Sequence, residues 1–159
     1  MGGERPERHE TPAERSDRNW AELLQELRVA QTGVQLLTAF LLSLPFQQRF
    51  LSITDSQRVV YLVVVLLSVS ATGTLIAPVA LHRAVFQRHE KQKLVLLAAK
   101  LAVVGLGLLG VAVAGVVLLI FLVVTGPLGG GLACGATLLV LIALWGVMPL
   151  RARARTMQR

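Results

Sequence analysis

Acidic side chains are nearly absent from most of this chain, since seven of its nine Asp and Glu residues precede Val29. Asp55 and Glu90 are the remaining two. Charged residues of either sign make up 16% of the 159 residues, whereas an average soluble domain has about 25%. Hydrophobic residues account for 54% of the chain, and long stretches carry no charge. This pattern excludes an ordinary soluble domain and predicts an integral membrane protein.

Cysteine and histidine are also scarce, and neither is placed where it could build a catalytic or metal site. The one cysteine, Cys134, lies in an apolar run, so we expect it to pack as a small hydrophobe. The three histidines, His9, His82 and His89, all lie outside the centres of the apolar segments. No Ser–His–Asp, paired-carboxylate or metal-ligand arrangement shares one membrane depth, so we expect no enzymatic activity, no metal and no cofactor.

Four apolar segments are each long enough to cross a bilayer, because about 20 helical residues span its hydrocarbon core. The predicted fold class is all-α, an integral membrane four-helix transmembrane bundle. Asn19 and Glu22 form a capping-box pattern, so the first helix should begin at about residues 16–19 as an amphipathic cytoplasmic extension. The predicted units are a disordered cytoplasmic tail (1–18), a transmembrane domain (19–150, with spans at 29–45, 59–81, 100–124 and 128–148) and a basic cytoplasmic tail (151–159).

The 16 Lys and Arg residues are divided unequally between the predicted connections. The connection between the first two spans holds only Arg49 and Arg58, and the turn between the last two holds none. The positive-inside rule therefore predicts a multi-pass plasma-membrane protein with both termini in the cytoplasm. The basic residues should also attract anionic lipids of the inner leaflet. We expect no nucleic-acid binding, because no basic run is interleaved with aromatic residues.

The first helix carries a polar stripe whose members recur at steps of three or four residues, which places them on one face. Polar side chains at membrane depth are costly unless they face protein or water, so we expect this stripe to point into the bundle. One interpretation is a polar cleft open to the cytoplasm. The other, which we favour, is hydrogen bonding between helices at about 0.6–2 kcal/mol per contact. The polar stripe consists of Gln25, Arg28, Thr32, Gln35 and Thr38, with Gln31 beside it.

Two further features are predicted where the first two helices approach the cytoplasm. Pro78 lies inside the second apolar segment and should kink that helix, because it frees a carbonyl group one turn earlier. Four ionisable residues should meet at a similar depth as an ion-pair cluster. Such a cluster would either lock the two helices together or act as a proton or anion gate, since His titrates near neutral pH. The predicted cluster consists of Glu22, Glu26, His82 and Arg83.

The third and fourth segments are rich in small residues at helical spacing. Gly107, Gly110 and Ala114 share one face, while Gly131 and Gly135 form a GxxxG pair. Small residues allow helix backbones to approach closely in lipid. Because a short turn joins these two segments, we expect the small residues to pack the helices on each other. An interface between copies of the chain is the alternative.

Three sequence motifs suggest a family. They are ELRVAQTGVQ at residues 26–35, PFQQRF at residues 45–50 and IAPVALHR at residues 76–83. The chain resembles the actinobacterial membrane proteins grouped as domain of unknown function 6328, over about residues 19–125. That family has no established activity, so the resemblance implies a membrane fold and transfers no catalytic residue.

The expected function is therefore that of a non-enzymatic accessory or scaffold component of the plasma membrane. The alternative is a small oligomeric transporter or channel that uses the polar stripe of the first helix. The expected partners are the lipid bilayer with its anionic inner-leaflet lipids and either another membrane protein or further copies of this chain.

Overall fold

The computed structural model describes residues 12–85, 91–149 and 151, with side chains for residues 18, 21, 22, 24–81, 96–149 and 151. All of the regular structure in these ranges is helical. Two short 3-10 turns, Leu44–Phe46 and Gln48–Ser52, connect the first two long helices, and the fourth continues into a π-helical turn at Ala143–Val147. The long helices are α1 (Pro12–Ser43), α2 (Asp55–Val85), α3 (Lys91–Val124) and α4 (Pro127–Ile142).

Four helical stretches are long and apolar enough to cross a membrane, which confirms the predicted membrane fold. Each stretch begins slightly earlier than the sequence predicted. The helix α1 also begins earlier, at Pro12, so residues 12–18 are helical where a disordered tail was expected. Proline at the first turn suits a helix start, because its fixed φ is already helical. The spans are Leu24–Phe46, Asp55–Leu81, Leu96–Val124 and Pro127–Val147.

The ends of the helices follow from local chemistry. Pro45 lacks an N–H group, and α1 gives way there to a 3-10 turn. The backbone N–H of Thr54 donates to Oε1 of Gln57 at 2.9 Å, and the N–H of Gln57 donates to Oγ1 of Thr54 at 3.3 Å. This reciprocal capping pair starts α2 at Asp55, ahead of the predicted position 59. Between α3 and α4, Gly126 adopts a φ of 87°, which favours glycine.

The core lies between α1, α2 and α3. On α1 the buried residues Leu27, Val34 and Leu41 recur every seven positions and form the face that packs inward. They belong to two clusters. One includes Leu75 of α2 and Ala102 of α3, and the other is built from residues nearer the 3-10 turns. Among the described helices, α4 packs against α3 alone, so it lies at the edge of the bundle.

Close approach of α2 and α3 depends on glycines that the sequence analysis did not select. A Cβ atom at Gly105 would lie 2.8 Å from Cγ of Leu75 and 3.3 Å from the Leu75 backbone nitrogen. A Cβ at Gly115 would overlap the side chain of Val64. The absence of a side chain at both positions therefore lets the two backbones come together.

The small residues predicted to pack α3 on α4 differ in their surroundings. Gly110 is buried under the ring of Trp145, and Ala114 is also buried. A Cβ would meet no atom within 4 Å at Gly107, Gly131 or Gly135. These three glycines therefore do not provide the expected close packing within the chain, because α4 meets α3 through a neighbouring face that includes Gly130.

Candidate interaction face of the first helix

One side of α1 is joined to α2 by side-chain hydrogen bonds. Nε2 of Gln31 donates to the carbonyl oxygen of Leu75 at 2.9 Å. The hydroxyl groups of Thr38 and Ser68 share a hydrogen bond, and Ser68 is fully buried. Farther along, the hydroxyl group of Tyr61 donates to the carbonyl oxygen of Leu41 at 3.0 Å. These contacts follow the antiparallel pairing of α1 and α2 through most of the membrane. Gln31 and Thr38 thus form the interhelical bonds that the sequence analysis favoured for the stripe.

The rest of the polar stripe does not point into the bundle as expected. Gln25, Arg28, Thr32 and Gln35 are all exposed on α1. The physical reason is the position of the core face. Thr32 is offset by two residues from Val34, which is about 200° around an α-helix with ~3.6 residues per turn. The buried residues at seven-residue intervals therefore fix α1 so that most of the stripe faces away from α2 and α3.

Among these exposed residues, Gln35 is the one whose polar group is expected to cost the most free energy in contact with lipid. It lies in the middle of the span Leu24–Phe46. Its amide group has no hydrogen-bond partner among the residues that the structure describes. The nearby Thr32 differs, because its hydroxyl donates to the carbonyl oxygen of Arg28 at 3.0 Å within the same helix. Burying an unpaired amide in hydrocarbon costs about 2 kcal/mol or more. Gln35 is therefore a candidate contact for a polar group outside the described residues.

The exposed surface of α1 separates into two faces of different chemistry. One carries the large apolar side chains Val29, Leu36 and Phe40, which are 75%, 69% and 56% exposed and suit contact with lipid. The other, which we call the polar seam, carries only polar or small side chains from Ala21 to Ala39, and the exposed Leu42 follows at its next step. Its members alternate at steps of four and three residues, the spacing of a left-handed helix pair. The polar seam consists of Ala21, Gln25, Arg28, Thr32, Gln35 and Ala39, all exposed.

Sequence reasoning missed Ala21 and Ala39 as members of this surface. Alanine is common in helices and carries no chemistry that marks it on its own. The signal that could have found them is the continuation of the four-three spacing in both directions from Gln25 and Gln35. Small residues at those two positions leave room for a neighbouring helix along the seam.

The predicted ion-pair cluster is described only in part. A carboxylate oxygen of Glu22 lies 3.7 Å from Nε of Arg18, one turn earlier on α1, and both side chains are more than half exposed. Glu26 is exposed as well. The side chains of His82 and Arg83 lie outside the described residues, so the cluster stays a prediction.

Pro78 and the candidate metal-ligand residues lie on α2 and α4 or outside the described side chains. The ring of Pro78 is fully buried, and α2 continues through it to Val85, so the kink stays a prediction. Cys134 is half-buried in α4. Among the described residues, no group of three or more His, Cys, Asp or Glu side chains is placed to hold a metal ion.

Comparison with known proteins places the chain in a family without assigning an activity. A sequence model of a family of unknown function, DUF6328, matches residues 9–149. This confirms the resemblance inferred from the three motifs and extends it beyond residues 19–125 to include α4. No curated protein and no solved structure matches the chain.

Proposed function

This chain belongs to the family of unknown function DUF6328, and we propose that it is a non-enzymatic accessory or scaffold component of the plasma membrane. It would dock a transmembrane helix of another membrane protein on the polar seam of α1. The observation that carries the proposal is the exposed amide group of Gln35 in the middle of a membrane span, without a partner among the described residues.

A partner helix would make two kinds of polar contact with the seam. Hydrogen bonds to the amide groups of Gln35 and Gln25 would each contribute about 0.6–2 kcal/mol in a membrane. Arg28 lies near the beginning of its span, so a carboxylate at that depth of the partner would neutralise its charge. The proposed partner therefore has polar groups at two depths, and an acidic group belongs at the shallower one.

The orientation of the chain is part of the same proposal. The excess of basic residues near the termini and in the connection between α2 and α3 supports cytoplasmic termini. Arg28 would then lie near the cytoplasmic surface of the plasma membrane, and Gln35 would lie near the bilayer centre.

A small oligomeric transporter or channel is the alternative use of the polar seam. Within the described part of the chain, Gln31 and Thr38 already bond across the α1–α2 contact and do not line a separate polar path. A transport path along the seam would therefore have to form between several copies of the chain. The oligomeric state of the purified protein distinguishes this alternative from docking of a different protein.

The experiment compares partners that co-purify with tagged wild-type protein and with Gln35→Leu from native membranes in a mild detergent. Leu36→Ala, one residue farther on the lipid-facing side, is the matched control. Quantitative mass spectrometry should show a stoichiometric partner on the wild type and on Leu36→Ala. The partner should fall roughly three- to thirtyfold on Gln35→Leu, which corresponds to ~0.6–2 kcal/mol.

Two results would contradict the accessory function. Equal recovery of the partner with Gln35→Leu and wild type would show that the polar seam is not the docking surface. Native mass measurement of a homo-oligomer without other subunits would favour the transporter alternative, and flux assays on Gln35→Leu would then follow.

A further inference from the structure

An apolar groove lies between α1 and α3 at the end of the domain that carries the 3-10 turns. It has a volume of about 250 Å³ and opens at the surface of the helix bundle. Leu41 and Leu119, both buried, lie among its lining residues. Its walls come from the end of α1, the 3-10 turns and the end of α3. Residues of these walls include Phe40, Leu44, Phe50, Ile120 and Val124.

The groove exists because the 3-10 turns are fastened to α2. The ring of Phe50 packs edge-on against the ring of Tyr61, with centroids 4.9 Å apart and an interplanar angle of 74°. Tyr61 in turn donates its hydroxyl hydrogen to the carbonyl oxygen of Leu41. These contacts draw the connection toward α2, whereas α1 and α3 contact each other less closely than either contacts α2. The space between α1 and α3 is left unfilled.

The polar residues that line the groove are Arg49 and Gln47, both exposed, in the connection between α1 and α2. Two arginines in this part of the chain differ in their partners. Nη1 of Arg58 lies 3.4 Å from a carboxylate oxygen of Asp55. The guanidinium group of Arg49 has neither a hydrogen bond nor an ion pair among the described residues. Residues 47–54 also lie immediately outside two membrane spans, at the level of lipid headgroups.

We propose that this groove binds one acyl chain of an anionic phospholipid and that Arg49 binds the phosphate group of the same lipid. The apolar lining selects hydrocarbon, and an apolar cavity of about 150 Å³ is already large enough to hold benzene. A guanidinium group binds phosphate oxygens with two parallel hydrogen bonds. The proposal is independent of the polar seam, which lies on another part of the surface of α1.

The test adds phosphatidylglycerol or phosphatidylcholine to delipidated full-length protein in detergent and counts bound lipids by native mass spectrometry. Wild type should retain one phosphatidylglycerol at concentrations where phosphatidylcholine is lost. Arg49→Gln should weaken phosphatidylglycerol binding roughly tenfold, because a charge-assisted contact is lost. Arg58→Gln, in the first turn of α2, is the matched control, since it removes the same charge near the same end of the bundle and Arg58 does not line the groove.

Filling the groove tests the acyl-chain part of the proposal. Ile120→Trp should abolish retention of the lipid, whereas Leu139→Trp, on the exposed surface of α4, should leave it unchanged. If Ile120→Trp does not fold, Val124→Phe replaces it, because Val124 is 74% exposed and a larger ring can be accommodated there. Retention of phosphatidylglycerol by the folded groove-filling variant would overturn the proposal. Equal weakening by Arg49→Gln and Arg58→Gln would also overturn it.

Discussion

The side of α1 that faces α2 and the side that faces out of the fold carry the same residue types in different surroundings. Gln31 bonds to the backbone of α2, whereas Gln35, one turn later, has an exposed amide group. Leu41 is completely buried, whereas the adjacent Leu42 is 52% exposed. A similar contrast occurs on α3, where Gly105 lies against Leu75 and Gly107 faces open space.

These pairs show what differs between a membrane helix and a helix of a soluble protein. In water, an apolar side chain on an outward face is the exception, so apolar periodicity identifies the inner face. In lipid, both faces are apolar, because lipid tails are as hydrophobic as leucine. Packing, small residues and paired polar groups then distinguish the two faces. The matched pairs above provide direct tests of this distinction.

The largest effect is expected for the leucine pair. Leu41→Ala should lower the free energy of unfolding by about 2–5 kcal/mol, because it leaves a cavity between α1 and α2. Leu42→Ala should change it by less than about 1 kcal/mol, since that side chain has few neighbours to lose. Reversible unfolding in mixed micelles measures both variants against wild type. Equal losses at the two positions would contradict the assignment of inner and outer faces.

A smaller effect is expected for the glycine pair on α3. Gly105→Ala should destabilise the fold by about 1–3 kcal/mol, because the new methyl group must displace Leu75 and approach its backbone. Gly107→Ala adds a methyl group in open space and should be neutral or stabilising by up to about 1 kcal/mol, since alanine favours helix. The same unfolding measurement applies. If Gly107→Ala destabilises the protein and Gly105→Ala does not, then α3 contacts α2 through the face that carries Gly107, which would contradict the structure.

The number of helices and their approximate bounds were predictable from sequence, because each is a charge-free apolar segment of membrane-spanning length. The turn before α4 was also predictable, since Gly126 and Pro127 interrupt the apolar pattern. The early start of α2 was missed because its predicted bound was taken from the apolar run that begins at Val59, although Thr54 and Gln57 have the spacing of a capping box.

The residues of the candidate site could be predicted from the sequence, but the side of the bundle that they face could not. The sequence identified the polar residues of α1 and their common spacing. It could not show that Val34, and not Thr32, faces α2, because that choice depends on the surfaces of α2 and α3. The same limit explains why Gly105 was missed, since its importance comes from the position of Leu75 on another helix.

The smallest effect on folding is expected for the glutamine pair. Gln31→Leu should lower the free energy of unfolding by about 0.6–2 kcal/mol, because it removes the hydrogen bond to the carbonyl oxygen of Leu75. Gln35→Leu should change it by no more than about 0.5 kcal/mol in the isolated protein, since its amide has no described partner to lose. Mixed-micelle unfolding of the purified, partner-free protein measures both changes.

The glutamine pair also separates folding from association more sharply than either of the other pairs. The two substitutions replace the same amide by the same alkyl group, one helical turn apart, so their effects on hydropathy and helix propensity are matched. Gln31→Leu should weaken the fold and leave the polar seam intact, whereas Gln35→Leu should leave the fold intact and remove an amide group from the seam. If Gln35→Leu destabilises the isolated protein as much as Gln31→Leu does, then the amide group of Gln35 forms a hydrogen bond within the chain. The main observation in favour of partner binding at the polar seam would then be removed.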